Sequence, residues 1–145
     1  MEIIEPNTST EFKIYYNLRY EVLRKPWGQP PGSERDEREE TSIHRMIIDN
    51  KTENALAVGR LQFNSTHEAQ IRFMAVADDL QGKGLGSQII SALEDVACGQ
   101  GIQRIILSSR ENALQFYRNN GYKIEKKTYL LFGEIQHWLM KKDLE

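Results

Sequence analysis

Between Phe73 and Ser87 the chain passes from an apolar strand, through a turn with glycines at three alternate positions, into an amphipathic helix. Gly82, Gly84 and Gly86 let the backbone approach a ligand closely and turn its N–H groups inward. Those groups stand at a helix N-terminus, whose partial positive charge favours anions. The first helical turn, with Leu85 and Ser87, holds no Asp or Glu to occupy that position, and Lys83 adds a cation at its mouth. The turn therefore predicts a phosphate or pyrophosphate site. A helix entry that uses glycine but holds no ligand is the competing reading, and the backbone entropy of three glycines weighs against it. The spacing is not G-x-x-x-x-G-K-[ST], which excludes a P-loop. Ser87 stands where G-x-G-x-x-G needs its third glycine. The turn also follows a third or fourth strand, whereas a dinucleotide fingerprint opens its fold.

The rest of the chain supplies the context. Residues 2–5 read as a short edge strand. Thr8, Ser9 or Thr10 caps a helix on which Phe12, Tyr15, Tyr16, Leu18, Arg19, Val22 and Leu23 recur at helical spacing before Pro26. Lys25–Gly32 holds three of the four prolines and reads as a loop, and Ser33–Glu40 follows as a charge run expected to be solvated or a short surface helix. Ile43–Asp49, Ala55–Phe63 and Glu68–Val76 read as strands, the first two forming a hairpin. Gly84–Cys98 is a helix stopped by Gly99 and Gly101. Arg104–Leu107 is a short buried strand of parallel type. Glu111–Asn120 is a second short helix, and Tyr122–Lys127 and Ile135–Lys141 complete the sheet. The order predicts an α/β fold, a mixed sheet with helices on both faces. No linker is evident, so residues 1–145 are expected to form one domain.

Composition narrows the class. No apolar run approaches the roughly 18–20 residues of a membrane span, and the N-terminus shows no secretory pattern. Cys98 is the single cysteine, so no internal disulfide framework is possible and a reducing, cytoplasmic setting is expected. A net charge of −2 argues against a nucleic-acid partner. No metal-ligand pattern is expected. Exposed sheet edges in the terminal segments leave a homodimer open.

Gln81-x-x-Gly84-x-Gly86 resembles the Q/R-x-x-G-x-G/A signature of the GNAT superfamily of N-acetyltransferases, and the strand Met74-Ala75-Val76 before it matches too. A second match is Asn112-x-x-x-Phe116-Tyr117-x-x-x-Gly121-Tyr122, similar to the family's N-x-x-x-x-FY-x-x-x-G-[FY] segment with one residue fewer. The resemblance covers roughly residues 70–125. Asn17–Arg24 and Gly133–Met140 are similar to segments of the ElaA-like branch. What the resemblance implies is a GNAT fold and transfer of an acetyl group from acetyl-CoA to a primary amine, on a small molecule or a protein. Gln81, Gly82, Lys83, Gly84, Leu85, Gly86 and Ser87 would wrap the coenzyme A pyrophosphate. Met74, Ala75 and Val76 would pair with the pantetheine arm.

Tyr117 is then the family-matched general acid for the departing thiolate; otherwise it is a core aromatic beside Phe116. Asn112 would bind the pantetheine arm, cap a helix, or both. A backbone N–H on Met74–Val76 would polarise the thioester carbonyl. The general base is open among Glu134, His137, His44 and the acids of Glu37–Glu40, or water passing the proton to a carboxylate. Arg72, alternating with Ile71 and Phe73, could bind a substrate carboxylate or lie on the surface. Trp27 covers the acceptor site or anchors its loop. A non-catalytic acetyl-CoA sensor is the alternative to an enzyme; it would need the turn but not Tyr117.

Overall fold

The computed structural model describes residues 1–144, so Glu145 lies outside the described residues. The strands are β1 (Glu2–Ile4), β2 (Ile43–Ile48), β3 (Ala55–Phe63), β4 (Glu68–Val76), β5 (Arg104–Arg110), β6 (Lys123–Leu131) and β7 (Ile135–Asp143). The helices are α1 (Ser9–Leu23), α2 (Leu85–Gly99) and α3 (Leu114–Asn119). The expected order of elements holds. The sheet runs β1-β2-β3-β4-β5-β7-β6, and of the described strands only β4 and β5 pair in parallel. The last two strands are longer than the sequence predicts: β6 reaches Leu131, and the reversal is confined to a short turn where Phe132 and Gly133 both have positive φ. The outer strands that offered pairing edges are a three-residue β1 and a β6 that exposes Lys123, Glu125, Lys126 and Lys127. Short length and charge are both devices that guard a sheet edge.

Strand alternation sends neighbouring residues to opposite faces. Ile47, Ala57, Leu61, Ala69 and Ile71 pack with Ile89, Ile90 and Leu93 of α2, whereas Met46, Val58 and Ala75 pack with Tyr15, Tyr16 and Leu18 of α1. α1 starts on a full capping box: Glu11 N–H donates to Thr8 Oγ1 at 3.1 Å, and Thr8 N–H donates to Glu11 at 3.2 Å.

Opposite Gly59 of β3 the register shifts, so that Phe73 and Met74 together oppose one residue. This is a β-bulge, and Phe73 takes φ +56° to make it. The bulge exchanges the two faces for the remainder of the strand. Ala69 and Ile71 face α2, and after the bulge it is Met74 and Val76 that do so. Arg72 and Phe73 thus share the α1 face rather than alternating: the guanidinium of Arg72 lies 4.9 Å from the Phe73 ring, with Arg19 at 4.3 Å and Arg60 at 4.8 Å.

Arg19 and Arg60 are wholly buried, and the charge run expected to be solvated is what neutralises them. Arg60 takes both oxygens of Asp36 at 2.6 and 3.0 Å and Glu39 at 2.7 Å; Arg19 takes Glu39 at 2.9 Å. Removing a buried cation's partner costs far more than the intact pair contributes, which ties residues 34–39 to the sheet. His44 belongs to the same network. Its Nε2 must donate to the Glu39 carbonyl at 2.7 Å, so its Nδ1 accepts from the Tyr15 hydroxyl at 2.8 Å. Burial holds the His44 imidazole below its usual range, in keeping with that neutral form.

Burial alone would raise the Asp36 carboxyl, but hydrogen bonds from Arg60 and the Arg38 N–H, with the charges of Arg60 and Arg72, outweigh it and hold the group at about 2. A carboxyl depressed when folded stabilises above its unfolded value and loses that contribution as pH falls towards the folded value. Asp36→Asn is expected to lower stability by about 2 kcal/mol at pH 6. In urea unfolding at stepped pH the gap should narrow once pH drops below about 4; a gap independent of pH would refute the pairing.

Candidate active site

β4 and β5 stay paired only from Glu68↔Arg104 to Ile71↔Leu107. The bulge follows at once, and beyond it β5 pairs with β7 alone. The two parallel strands separate, and Arg72–Val76 is left with a free backbone edge over a cleft of about 950 Å³. A crevice at the carboxyl ends of parallel strands is the preferred ligand position in an open α/β sheet. All the predicted site residues except Lys83 line this cleft: Met74, Ala75, Val76, Gln81, Gly82, Gly84, Leu85, Gly86, Ser87, Asn112 and Tyr117.

The glycine turn closes one end. Its Gln81 amide folds back to the Val76 carbonyl at 3.3 Å. Gly82 and Gly84 have φ of +80° and +84°, which a side chain would strain, and open space surrounds both Cβ positions. Gly84 is the N-cap of α2, which has no side-chain cap and no acid in its first turn. α1 satisfies its own N-terminus; α2 leaves its N–H groups available. Lys83 is exposed between Gly82 and Gly84 and makes no ion pair among the described residues. Gly86 differs from the other two. A Cβ there would lie 2.8 Å from Phe116 Cζ, so the missing side chain of this glycine lets α3 pack on the start of α2. Ser87 Oγ accepts from Asn120 at 3.2 Å, a second tie between the same helices.

Tyr117 is both a core aromatic and a residue of the cleft wall. Its ring is buried in the α2-side core, 5.0 Å from Phe116 and 6.2 Å from Tyr122, yet it lines the cleft, and its hydroxyl has no hydrogen-bond partner among the described residues. Burial raises the phenol above its ordinary value and Arg110 partly opposes this, so the group is protonated at neutral pH. Asn112 does not cap a helix: it sits in the 3₁₀ turn Glu111–Ala113, and the cap of α3 is Ala113. Its side chain borders the cleft without a partner among the described residues.

Of the candidate bases only His137 lines the cleft. His44 is consumed in the buried network, Glu39 by Arg19 and Arg60, and Glu37, Glu40 and Glu134 are exposed. His137 is stacked on Tyr129 at 4.6 Å, and its Nδ1 donates to the Ile135 carbonyl at 3.0 Å. The neutral tautomer therefore carries its lone pair on Nε2, which has no partner among the described residues. Burial holds its pKa below the ordinary value, and the charges of Arg110 and Arg24 add to this.

Arg72 borders the cleft but is paired with Asp36 at 3.3 Å. Trp27 does not line it; its ring lies 5.8 Å from the Arg110 guanidinium. Arg24, Arg110 and Tyr129 line the cleft without having been singled out in the sequence. The available signal for Arg110 was its place at the carboxyl end of a parallel strand. Arg24 and Tyr129 enter through tertiary packing alone.

The Gly86 contact is testable. Gly86→Ala is expected to lower stability by about 1–3 kcal/mol through overpacking against Phe116. Adding Phe116→Leu should recover part of the loss in thermal unfolding, whereas a glycine needed only for its backbone freedom would show no such recovery.

Comparison with known proteins agrees with this geometry. The sequence model of the Acetyltransferase (GNAT) family matches residues 12–122. The uncharacterized N-acetyltransferase YjcF of Bacillus subtilis (strain 168) is 27% identical over 143 residues, 99% of this chain and 100% of that one. An aminoglycoside 6'-N-acetyltransferase complexed with coenzyme A superposes with a TM-score of 0.81 at 17% identity, covering 99% of this chain and 97% of that one. Escherichia coli ElaA superposes with a TM-score of 0.81 at 18% identity, covering 97% of each chain. At these identities the two structures share the fold. The family match spans well over half the sequence and both motifs, and the chain belongs to the Acetyltransferase (GNAT) family.

Proposed function

We propose that the chain, as a single domain over residues 1–145, transfers an acetyl group from acetyl-CoA directly to a primary amine, with Tyr117 as general acid. The observation that carries this reading is the unpartnered Tyr117 hydroxyl in the wall of a cleft that begins at an uncapped helix N-terminus. Acetyl-CoA is the cosubstrate that this family membership and the coenzyme A-bound fold relative support. The pyrophosphate lies on the free N–H groups of α2, cradled by Gln81–Ser87 with Lys83 at the mouth. The pantetheine arm pairs with the open edge of β4 at Met74–Val76, as a strand would, and Asn112 holds it from the other side. A β4 N–H polarises the thioester carbonyl.

The amine nitrogen then forms a bond to the acetyl carbon and the carbon–sulfur bond breaks. His137 Nε2 accepts the amine proton, and the leaving thiolate takes its proton from Tyr117. Arg110 assists, since its charge favours the phenolate that Tyr117 becomes. A sensor that only bound acetyl-CoA would need the turn and the β4 edge. It would have no use for an acid and a base facing the same cleft.

Tyr117→Phe is expected to lower kcat about 10²-fold or more while calorimetry shows unchanged affinity for acetyl-CoA. Equal turnover by the variant would remove the acid from the mechanism. His137 acts only when neutral, so activity should rise with pH through a value below the ordinary histidine figure of about 6.5 and be fully developed at neutral pH. In His137→Gln that dependence should disappear from the acid limb of kcat/KM, leaving the titration of the amine; an unchanged limb would exclude His137 as the base.

A further inference from the structure

Three arginines, Arg24, Arg72 and Arg110, line the cleft, and among the described residues no Asp or Glu does, in a chain with 21 acids and 19 lysines and arginines. Arg72 has its counter-ion in Asp36. The other two have none among the described residues. Arg24 donates to the carbonyls of Ser33 at 3.0 Å and Leu23 at 3.1 Å, and Arg110 reaches only the Leu23 carbonyl, at 3.5 Å. Both are half-buried and held from behind by aromatic faces. Arg24 lies 5.5 Å from the Phe73 ring and 5.6 Å from Phe132, and Arg110 lies over Trp27. Burial lowers the pKa of each, and Arg24 is lowered further by the charges of Arg110, Arg72 and Arg19. Two guanidiniums that share one desolvated wall without a carboxylate repel each other, a cost that a bound anion would reverse.

The phosphates of the cosubstrate are not that anion: the pyrophosphate is placed at the glycine turn, and the ribose 3'-phosphate lies beyond it, on the side away from the acyl group. Arg110 stands three residues past the last β4–β5 pair at Leu107, level with the bulge, and its charge acts on Tyr117. This is the acyl end of the cleft. We propose that Arg24 and Arg110 form an anion subsite there, so that the acceptor is a small primary amine that also carries a carboxylate or a phosphate. The proposal rests on the acetyl-transfer reading and gives it a substrate class. The planar fork of each guanidinium suits two oxygens of such a group. The same two charges disfavour a bound ammonium and so help the acceptor lose its proton before attack. Polycations, with several ammonium groups and no anion, meet repulsion at this wall.

The test is calorimetry on protein already loaded with coenzyme A, followed by thiol release from acetyl-CoA. The probes are matched pairs, free amino acids against their carboxamides and aminoethyl phosphate against ethanolamine, with spermidine as the polycation. At least one anionic amine should bind about 10²-fold more tightly than its uncharged partner, and the pair with the larger gap identifies carboxylate or phosphate. Arg24→Gln should remove most of that gap through KM, Arg110→Gln should remove most of it in KM while also lowering kcat through Tyr117, Arg110→Lys should restore part of both, and unchanged acetyl-CoA affinity shows that the variants fold. Equal binding within every pair, no binding by any anionic amine, or preference for spermidine would overturn the subsite. Spermidine acetylated as readily as the anionic amines would leave acetyl transfer standing and sink the subsite alone. Anionic amines bound as expected with no thiol released would keep the subsite and sink the transfer reading.

Discussion

The bulge at Phe73 is the constraint on which the site depends. A regular β4 would stay paired with β5 to its end, and its N–H and C=O groups would be spent in the sheet. Instead pairing stops at Ile71↔Leu107, two residues before Phe73, and β4 past that point keeps an open edge. The distortion is costly. A phenylalanine at φ +56° stores on the order of 1–2 kcal/mol, and it persists because its surroundings fix it from both sides. Behind it, Gly59 gives Met74 and Ile89 room that a Cβ would occupy at 2.6 Å. In front, the Phe73 ring is enclosed by the guanidiniums of Arg19, Arg24, Arg60 and Arg72.

That enclosure explains the charge run. Four cations around one ring repel unless anions are near, and two of them are wholly buried. Asp36 and Glu39 come from a segment with no helix or strand of its own, and they reach over the α1 face to meet Arg19, Arg60 and Arg72. The acids stop there. Arg24, which meets the same ring, and Arg110, which lies over Trp27, both line the cleft and are left unmatched among the described residues. The neutralised Arg19 and Arg60 pack against the bulge, whereas the unmatched Arg24 and Arg110 line the cleft, where the proposed anion subsite lies.

How far the sequence discloses this depends on the range of the interactions involved. The order of elements, the capped α1 and the open start of α2 are local, written in periodicity and in Thr8, Glu11 and the glycines, and they are legible. That Met74–Val76 and the glycine turn would line one cleft is legible for the same reason, since strand, turn and helix are consecutive. The bulge is not. EAQIRFMAV alternates acceptably as a flat strand, and only Gly59, nine residues or more away on another strand, shows why it cannot remain one. Nor can the sequence say which of many acids in residues 33–40 are buried, because their partners Arg19, Arg60 and Arg72 come from three different elements. Gly86 shows a third kind of limit: it belongs to a phosphate-type motif, but its immediate reason is the Phe116 ring.

The two ends of the cleft both present positive charge, yet by different means, and the difference suits what each is proposed to hold. At the glycine turn the positive potential comes from backbone N–H groups and a helix dipole, supplemented by one exposed lysine; such a site holds a multiply charged, well-solvated phosphate without burying a cation. At the bulge the charge sits on guanidiniums fixed in a half-buried wall, where the dielectric is lower and each charge acts more strongly on its neighbours. Tyr117 and His137 lie within reach of that field. It adds to the burial that lowers the imidazole, keeping it neutral and able to accept a proton, and it works against the burial that raises the phenol. A carboxylate in place of Arg110 would shift both groups the wrong way, holding a proton on the base and on the acid alike. A wall without acids is therefore a requirement of the proposed chemistry as well as a mark of what the acceptor carries.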